Sequence, residues 1–369
     1  MILITKLWSL FAIISLVSAS FLVQLCSSVS VDSFIQKYPM ISKDISKVYQ
    51  FGAFQGIAAD FVFMLQVISM TPDVQIAVNE VAEQHLAPKH LARISQRQRL
   101  HWEDKIFKYV KNFTDEINVY ILDTGVFAGH SDFENRVIKS VDFTGEGIGD
   151  NNGHGTHVAG LVGSKTYGVQ KEARLIDVKV LTKNGAGNLS TVLEGLEYIV
   201  NNSRETKKKS IANLSVGAAY NALLNNAVDI AVNEGIPIVV AAGNTNEPAC
   251  GYSPASAQSV ITVGAIDDRY DSIASFSNWG RCVDIFASGV YVASLATYRG
   301  DATLALSGTS MSSPIITGIL ASYMAMGLNA DGAVSRLFQY ATVGEIPRAS
   351  IFFRPRTVNM IAYHEVSPP

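Results

Sequence analysis

Short apolar runs rich in β-branched residues, Val119–Leu122, Ala173–Leu181, Ile211–Ser215, Ile236–Ala241 and Val260–Ala265, alternate with longer helix-like stretches such as Leu189–Val200 and Ala222–Glu234. A strand that runs parallel to its predecessor needs a crossover long enough to hold a helix. The alternation therefore restricts this region to βαβ units and a mostly parallel sheet covered on both faces. With 48% apolar residues the chain can bury such a sheet, and its 369 residues leave room for a second, smaller domain. No internal repeat or low-complexity tract interrupts the pattern.

Charge and cysteine content narrow the function. Lys and Arg number 29 against 32 Asp and Glu, and only 17% of residues are charged, with a formal net charge of −3. A protein that lives on phosphate contacts needs a basic surface, so nucleic acid is excluded as a partner. Three cysteines cannot build a dense disulfide framework. Past the N-terminus no run approaches the roughly 20 apolar residues that span a bilayer.

The first residues read differently. After Lys6 the stretch Leu7–Val17 is nearly all apolar, and Ser18, Ala19 and Ser20 offer small residues to a signal peptidase. Residues 1–19 thus form a secretory signal cut after Ala19. Apolar residues resume at Phe21, Leu22, Val23 and Leu25, which leaves an uncleaved anchor as the alternative; Cys26 receives no role. From Tyr38 to Glu80, β-like runs (Val48–Phe51, Phe61–Val67, Val74–Val78) between polar breaks make a small α+β unit. The polar, basic stretch Gln84–Arg99 marks a boundary, and the charge run Lys207–Lys209 reads as a solvated loop. In a secretory chain the sequons at Asn112, Asn188, Asn201 and Asn213 are openings for glycosylation, although Asn213 sits in a strand pattern and is expected to be buried.

Three segments put a reactive side chain beside glycines at an element end, where backbone can approach a substrate. Val119–Leu122 leads into Asp123-Thr124-Gly125, a strand ending in a carboxylate that either acts in catalysis or caps a turn. Asn152-Gly153-His154-Gly155-Thr156-His157 is a glycine loop opening a helix at His154. Two His at i and i+3 suggest metal, but no third ligand at a recognised spacing joins them; an imidazole at a helix start suits a general base. Leu306-Ser307-Gly308-Thr309-Ser310-Met311-Ser312-Ser313-Pro314 precedes an apolar helix from Ile315 to about Met326. There Ser310 is a nucleophile or one of a run of N-capping serines. Asp, His and Ser together match the nucleophile, base and orienter of acyl transfer.

Asp123-Thr124-Gly125, His154–Gly160 and Gly308–Pro314 resemble the three signature segments of the subtilases. Finer matches, Leu91-Ala92-Arg93-Ile94-Ser95, Val178–Leu181, Ala241-Ala242-Gly243-Asn244, Tyr252–Ser256 and Phe276–Gly280, are similar to the proteinase K and cerevisin-like branch. The likeness covers roughly residues 87–328. It implies an α/β, subtilisin-like three-layer fold with a mostly parallel central sheet over residues 85–369, preceded by a small α+β, ferredoxin-like inhibitory propeptide over residues 20–84. By the resemblance Ser310 is the nucleophile, His154 the base and then acid, and Asp123 the residue that holds the imidazole. Asn244 and the Ser310 N–H would bind the oxyanion. Gly185-Ala186-Gly187 and Ser215-Val216-Gly217 would flank an extended peptide as edge strands. The secretory route permits a disulfide, and Cys250 and Cys282 fall where some relatives pair two cysteines. A structural calcium would take the carbonyls of Gln258 and Val260 and the carboxylate of Asp284, with waters making up the shell. No organic cofactor is implied.

Departures from the family pattern are Ile315 where a His is usual, Val216, Ala218 and Ala219 in place of Leu and glycines, and a loosely matched insert over residues 202–210. The expectation is a monomeric serine endopeptidase in a secreted or vacuolar, lytic compartment. It acts on polypeptides and is held inactive by its own propeptide, which is cut off after about Gln84, and it keeps no membrane span once the signal is removed. The rival reading is an inactive subtilase relative that binds or builds.

Overall fold

The computed structural model describes residues 21–25, 30–37, 39, 45–52, 54–59, 80–101, 103–111, 113 and 115–367. The expected signal, Cys26, the runs Phe61–Val67 and Val74–Val78 and the sequon at Asn112 lie outside the described residues. The chain divides into two compact units, Met1–Ile68 and Ser69–Pro369. In the first, Phe21–Leu25, Phe54–Ala59 and Ile45–Phe51 form an antiparallel sheet in that order, joined by the helix Val31–Lys37.

The second unit is built on one large sheet. Its parallel strands are β1 (Ile117–Asp123), β2 (Val137–Asp142), β3 (Arg174–Lys179), β4 (Lys209–Leu214), β5 (Ile238–Ala241), β6 (Ile261–Asp267) and β7 (Ile285–Ser288). Their order is β7-β6-β5-β4-β1-β3-β2, and every neighbouring pair is parallel. Met360–Ile361 continues the sheet parallel to β7, Thr342–Val343 closes that edge antiparallel, and Ser272–Ile273 pairs antiparallel with β6. Helices α1 (His154–Gly163) and α4 (Thr309–Ala325) pack together on one face, and α2 (Leu189–Thr206) with α3 (Ala222–Asn233) on the other. This is the expected three-layer arrangement. All seven residues of β1 are buried, as a strand covered on both faces must be.

In the charge run Lys207–Lys209, Lys207 and Lys208 form the exposed link expected between helix and strand: α2 ends at Thr206, Lys207 turns the chain at φ 54°, and β4 already begins at Lys209. Lys208 pairs with Glu116 at 2.8 Å and Lys209 with Asp115 at 2.7 Å, so the charges pin the turn to the entry of β1. At the boundary region, Glu80–His85 is a strand paired antiparallel with Ile106–Lys111. The processing bond expected after Gln84 therefore falls inside a paired strand.

Candidate active site

β1 ends at the carboxyl edge of the sheet with Asp123, wholly buried. Its Oδ1 lies 2.7 Å from His154 Nδ1, at the first residue of α1. This approach requires that no side chain stand between the two elements. A Cβ on Gly155 would lie 2.2 Å from Gly125 O and 3.1 Å from Asp123 Cβ, so glycine is dictated there. Gly125, at φ +107°, would in turn drive a Cβ to 2.3 Å from Gly149 O. Burial disfavours a charged imidazole, but the charge and hydrogen bond of Asp123, helped by Asp150, outweigh it and hold His154 above its ordinary pKa.

Asp150 was not singled out from the sequence, and it organises this corner. Its Oδ1 accepts from Thr124 Oγ1 (2.9 Å), Asn152 N (3.0 Å) and Gly153 N (2.8 Å), and its Oδ2 from Thr156 N (2.9 Å) and Thr156 Oγ1 (2.6 Å). One carboxylate thus ties the glycine loop and the start of α1 to the residue beside Asp123. Lys179, with its side chain wholly buried, donates to Thr124 O at 2.6 Å from below. His157, one turn on, has a different part. Its Nε2 faces Val292 O and Leu304 O, each at 3.1 Å, and burial pulls its pKa down to about 4. It is a neutral strut for the hairpin of Val292–Leu295 and Thr303–Leu306.

Every residue of α4 is buried except Ser310, in the first turn. The helix begins at Thr309, ahead of Pro314, because the proline's cost is met locally. Pro314 has no N–H for the Ser310 carbonyl, and Ser215 Oγ donates to that carbonyl instead, at 3.1 Å. Ser215 Oγ also meets Asn213 Nδ2 and Ser313 Oγ, each at 2.9 Å. Ser310 Oγ itself lies 3.5 Å from Ser215 O. Asn244 follows β5, and its Oδ1 accepts from Thr309 N at 2.8 Å and Thr309 Oγ1 at 3.0 Å, which fixes the amide with Nδ2 as the outward group. The position a Gly308 side chain would take is 3.5 Å from Asn244 Nδ2 and 3.7 Å from Ser310 N, so two N–H donors flank one small space.

The model of the family described as "Subtilase family" matches residues 114–335, which include Asp123, His154, Asn244 and Ser310. The chain belongs to the subtilases. It is similar to the subtilase-type proteinase RRT12 of Saccharomyces cerevisiae, 44% identical over 351 residues that cover 90% of this chain and 71% of that one. Proteinase R of Parengyodontium album is 38% identical over 346 residues, 91% of this chain and 85% of its own. Among solved structures, a cold-adapted subtilisin-like serine proteinase matches with a TM-score of 0.67 at 34% identity, covering 76% of this chain and all of its own. The protein is a subtilisin-like serine proteinase.

In this subtilase a cleft of about 710 Å³ opens beside His154. Gly185-Ala186-Gly187 line it on one side and Ser215-Val216-Gly217 on the other, with Ala218, Ala219 and Tyr220 beyond. Neither triplet is a strand here; both are irregular backbone outside any sheet. Cys250 and Cys282 are joined by a disulfide. Asp284 stands where β7 begins, and its Oδ2 accepts from Thr262 N at 2.8 Å, next to Val260 and β6. Burial pushes its carboxyl up to about 6, and that one N–H only partly offsets the cost. Among the described residues no cluster of three or more His, Cys, Asp or Glu side chains could hold a metal, and no helix is long and apolar enough to cross a membrane. Ile315 is fully buried in α4.

Proposed function

We propose that this proteinase cleaves peptide bonds as an endopeptidase through an acyl-enzyme, with Asp123, His154 and Ser310 as its triad, and that it is made as a zymogen on the secretory route for a secreted or vacuolar compartment. The carrying observation is the 2.7 Å contact from Asp123 Oδ1 to His154 Nδ1. An Nδ1–H that donates to this carboxylate leaves Nε2 as the base. Ser310 Oγ gives its proton to Nε2 and bonds to the substrate carbonyl carbon. The oxyanion settles between Asn244 Nδ2 and the Ser310 N–H, and loss of one such donor costs roughly 10² to 10³ in turnover. His154 then returns the proton to the leaving amine, and water, activated by the same nitrogen, releases the acyl group. The 3.5 Å contact of Ser310 Oγ with Ser215 O is the resting rotamer, since catalytic hydrogen bonds tighten when substrate binds.

The substrate lies extended between the 185–187 and 215–217 segments, whose backbone outside any sheet is ready to pair with it. Asp284 with the carbonyls of Gln258 and Val260 would hold a structural calcium. A bound cation supplies the counter-charge that a buried carboxylate short of donors needs, with waters completing the oxygen shell. The intact pairing of Asp123 with His154 speaks against an inactive binding protein. The zymogen reading rests on the small unit ahead of the catalytic one. Expressed in a protease-deficient host, Ser310→Ala should keep residues 20–84 covalently attached while wild type sheds them, read by mass spectrometry of the N-terminus. A variant cut at the wild-type bond would show that another enzyme makes the cut.

A further inference from the structure

The substrate cleft carries an amide that the proposed chemistry leaves unused. Asn188 follows Gly187 on the cleft wall, is exposed, and stands at the N-cap of α2 with φ −89° and ψ 154°. An N-cap asparagine ordinarily turns its side chain back onto the first N–H groups of its helix. Asn221 does so toward Leu224 N at 3.0 Å, and Asn329 toward Gly332 N at 2.8 Å. Asn188 makes no such bond. Nearby, Thr191 Oγ1 bonds to backbone carbonyls, Asn188 O at 2.7 Å and Val180 O at 3.0 Å, and leaves the Asn188 side chain out of the contact. The Asn188 amide thus takes no part in capping α2, and Asn188-Leu189-Ser190 is an N-x-S sequon.

We infer that Asn188 is N-glycosylated and that its glycan stands on the rim of the substrate cleft, where it screens out bulky folded proteins and admits flexible extended chains. The inference rests on the proposed secretory route and endopeptidase activity. The donor is a polyprenyl-pyrophosphate oligosaccharide. The Asn188 amide nitrogen bonds to the anomeric carbon of the sugar and gives up one proton, while the bond from that carbon to the pyrophosphate oxygen breaks and the pyrophosphate leaves with the electron pair. Asn213 is no alternative: it is wholly buried, with Nδ2 on Ser215 Oγ at 2.9 Å and Oδ1 accepting from Thr317 Oγ1 at 3.0 Å. Asn201 is exposed but lies within α2 and does not line the cleft.

The test is secretion of the full chain from a eukaryotic host, with glycan release by an amidase that converts the modified Asn to Asp and site mapping by mass spectrometry. Ser190→Ala removes the sequon and keeps Asn188; Ser190→Thr keeps both. The expected result is a modified Asn188 and a bare Asn213. With Ser190→Ala, kcat/KM should rise about three- to tenfold on a folded protein substrate and less than about twofold on a short chromogenic peptide, with Ser190→Thr behaving as wild type. A bare Asn188 beside a modified Asn201 overturns the site while the secretory route stands. Bare asparagines throughout the secreted protein likewise overturn the modification, whereas failure to be secreted overturns the route on which it rests. A modified Asn188 with equal rates for Ser190→Ala and wild type on folded protein overturns the screening role.

Discussion

Asp177 sits on β3 opposite Ile121 of β1, two residues before the end of the strand that carries Asp123. It is wholly buried, and neither carboxyl oxygen completes a hydrogen bond. Burial pushes its pKa up to about 7, with Ser140, the Val126 N–H and Lys179 offsetting only part of the cost and the charge of Asp150 adding to it. A raised carboxyl pKa means that the folded state holds a proton that the unfolded chain has already lost. Stability therefore falls as pH rises from about 4 to about 7 and is level above, at about 1.4 kcal/mol per unit. Asp177→Asn should remove that slope, so the variant should gain roughly 3 kcal/mol on wild type between pH 4 and pH 7.5, read by denaturant unfolding. The buried imidazoles of His90, His157 and His364, each lowered to about 4, titrate in both proteins and cancel in the difference. A difference that does not change with pH would refute the assignment. At this scale glycines and element ends mark Asp123, His154 and Ser310 as candidates in the sequence, and the resemblance to the subtilases adds Asn244. It hides Asp150 and Asp177, whose importance comes from what folding places around them.

Among the elements, β1, β3, β4, β5 and β6 were legible as apolar runs, whereas β7, equally buried but only four residues long, did not stand out. β2 was not legible either, because it is an edge strand whose Lys139 and Ser140 break the run. The start of α4 was obscured by Pro314, which the pattern reads as a helix beginning; the hydroxyl that replaces the missing helical bond belongs to Ser215, 95 residues away in the chain. The disulfide joins the Ala249–Gly251 turn to the loop ahead of β7, bridging 32 residues that include β6 and Asn278. Asn278 Nδ2 donates to Ala242 O and its Oδ1 accepts from Thr245 N, so this loop supports the strand end that delivers Asn244. Replacing both Cys250 and Cys282 by Ala should cost about 3 to 4 kcal/mol in unfolding free energy on the chain-entropy estimate. Two thiols free to react in the denatured, unreduced wild type would contradict the bridge.

For the whole molecule, the parallel sheet is a platform whose carboxyl edge collects the residues of the proposed chemistry: Asp123 from β1, Asn244 after β5, and the mouths of α1 and α4 with His154 and Ser310. Four distant parts of the sequence meet because the crossovers of a three-layer fold return β1 to β7 in one direction. The account stands on Ser310 being a nucleophile that His154 activates and His157 does not. The direct measurement is reaction of the processed protein with a fluorophosphonate probe, with the adduct mapped by peptide mass spectrometry. The predicted result is a phosphonylated Ser310 in wild type and in folded His157→Ala, and no label in folded His154→Ala or Ser310→Ala. An unlabelled Ser310 in folded, processed wild type, or equal labelling of His154→Ala and wild type, would contradict it.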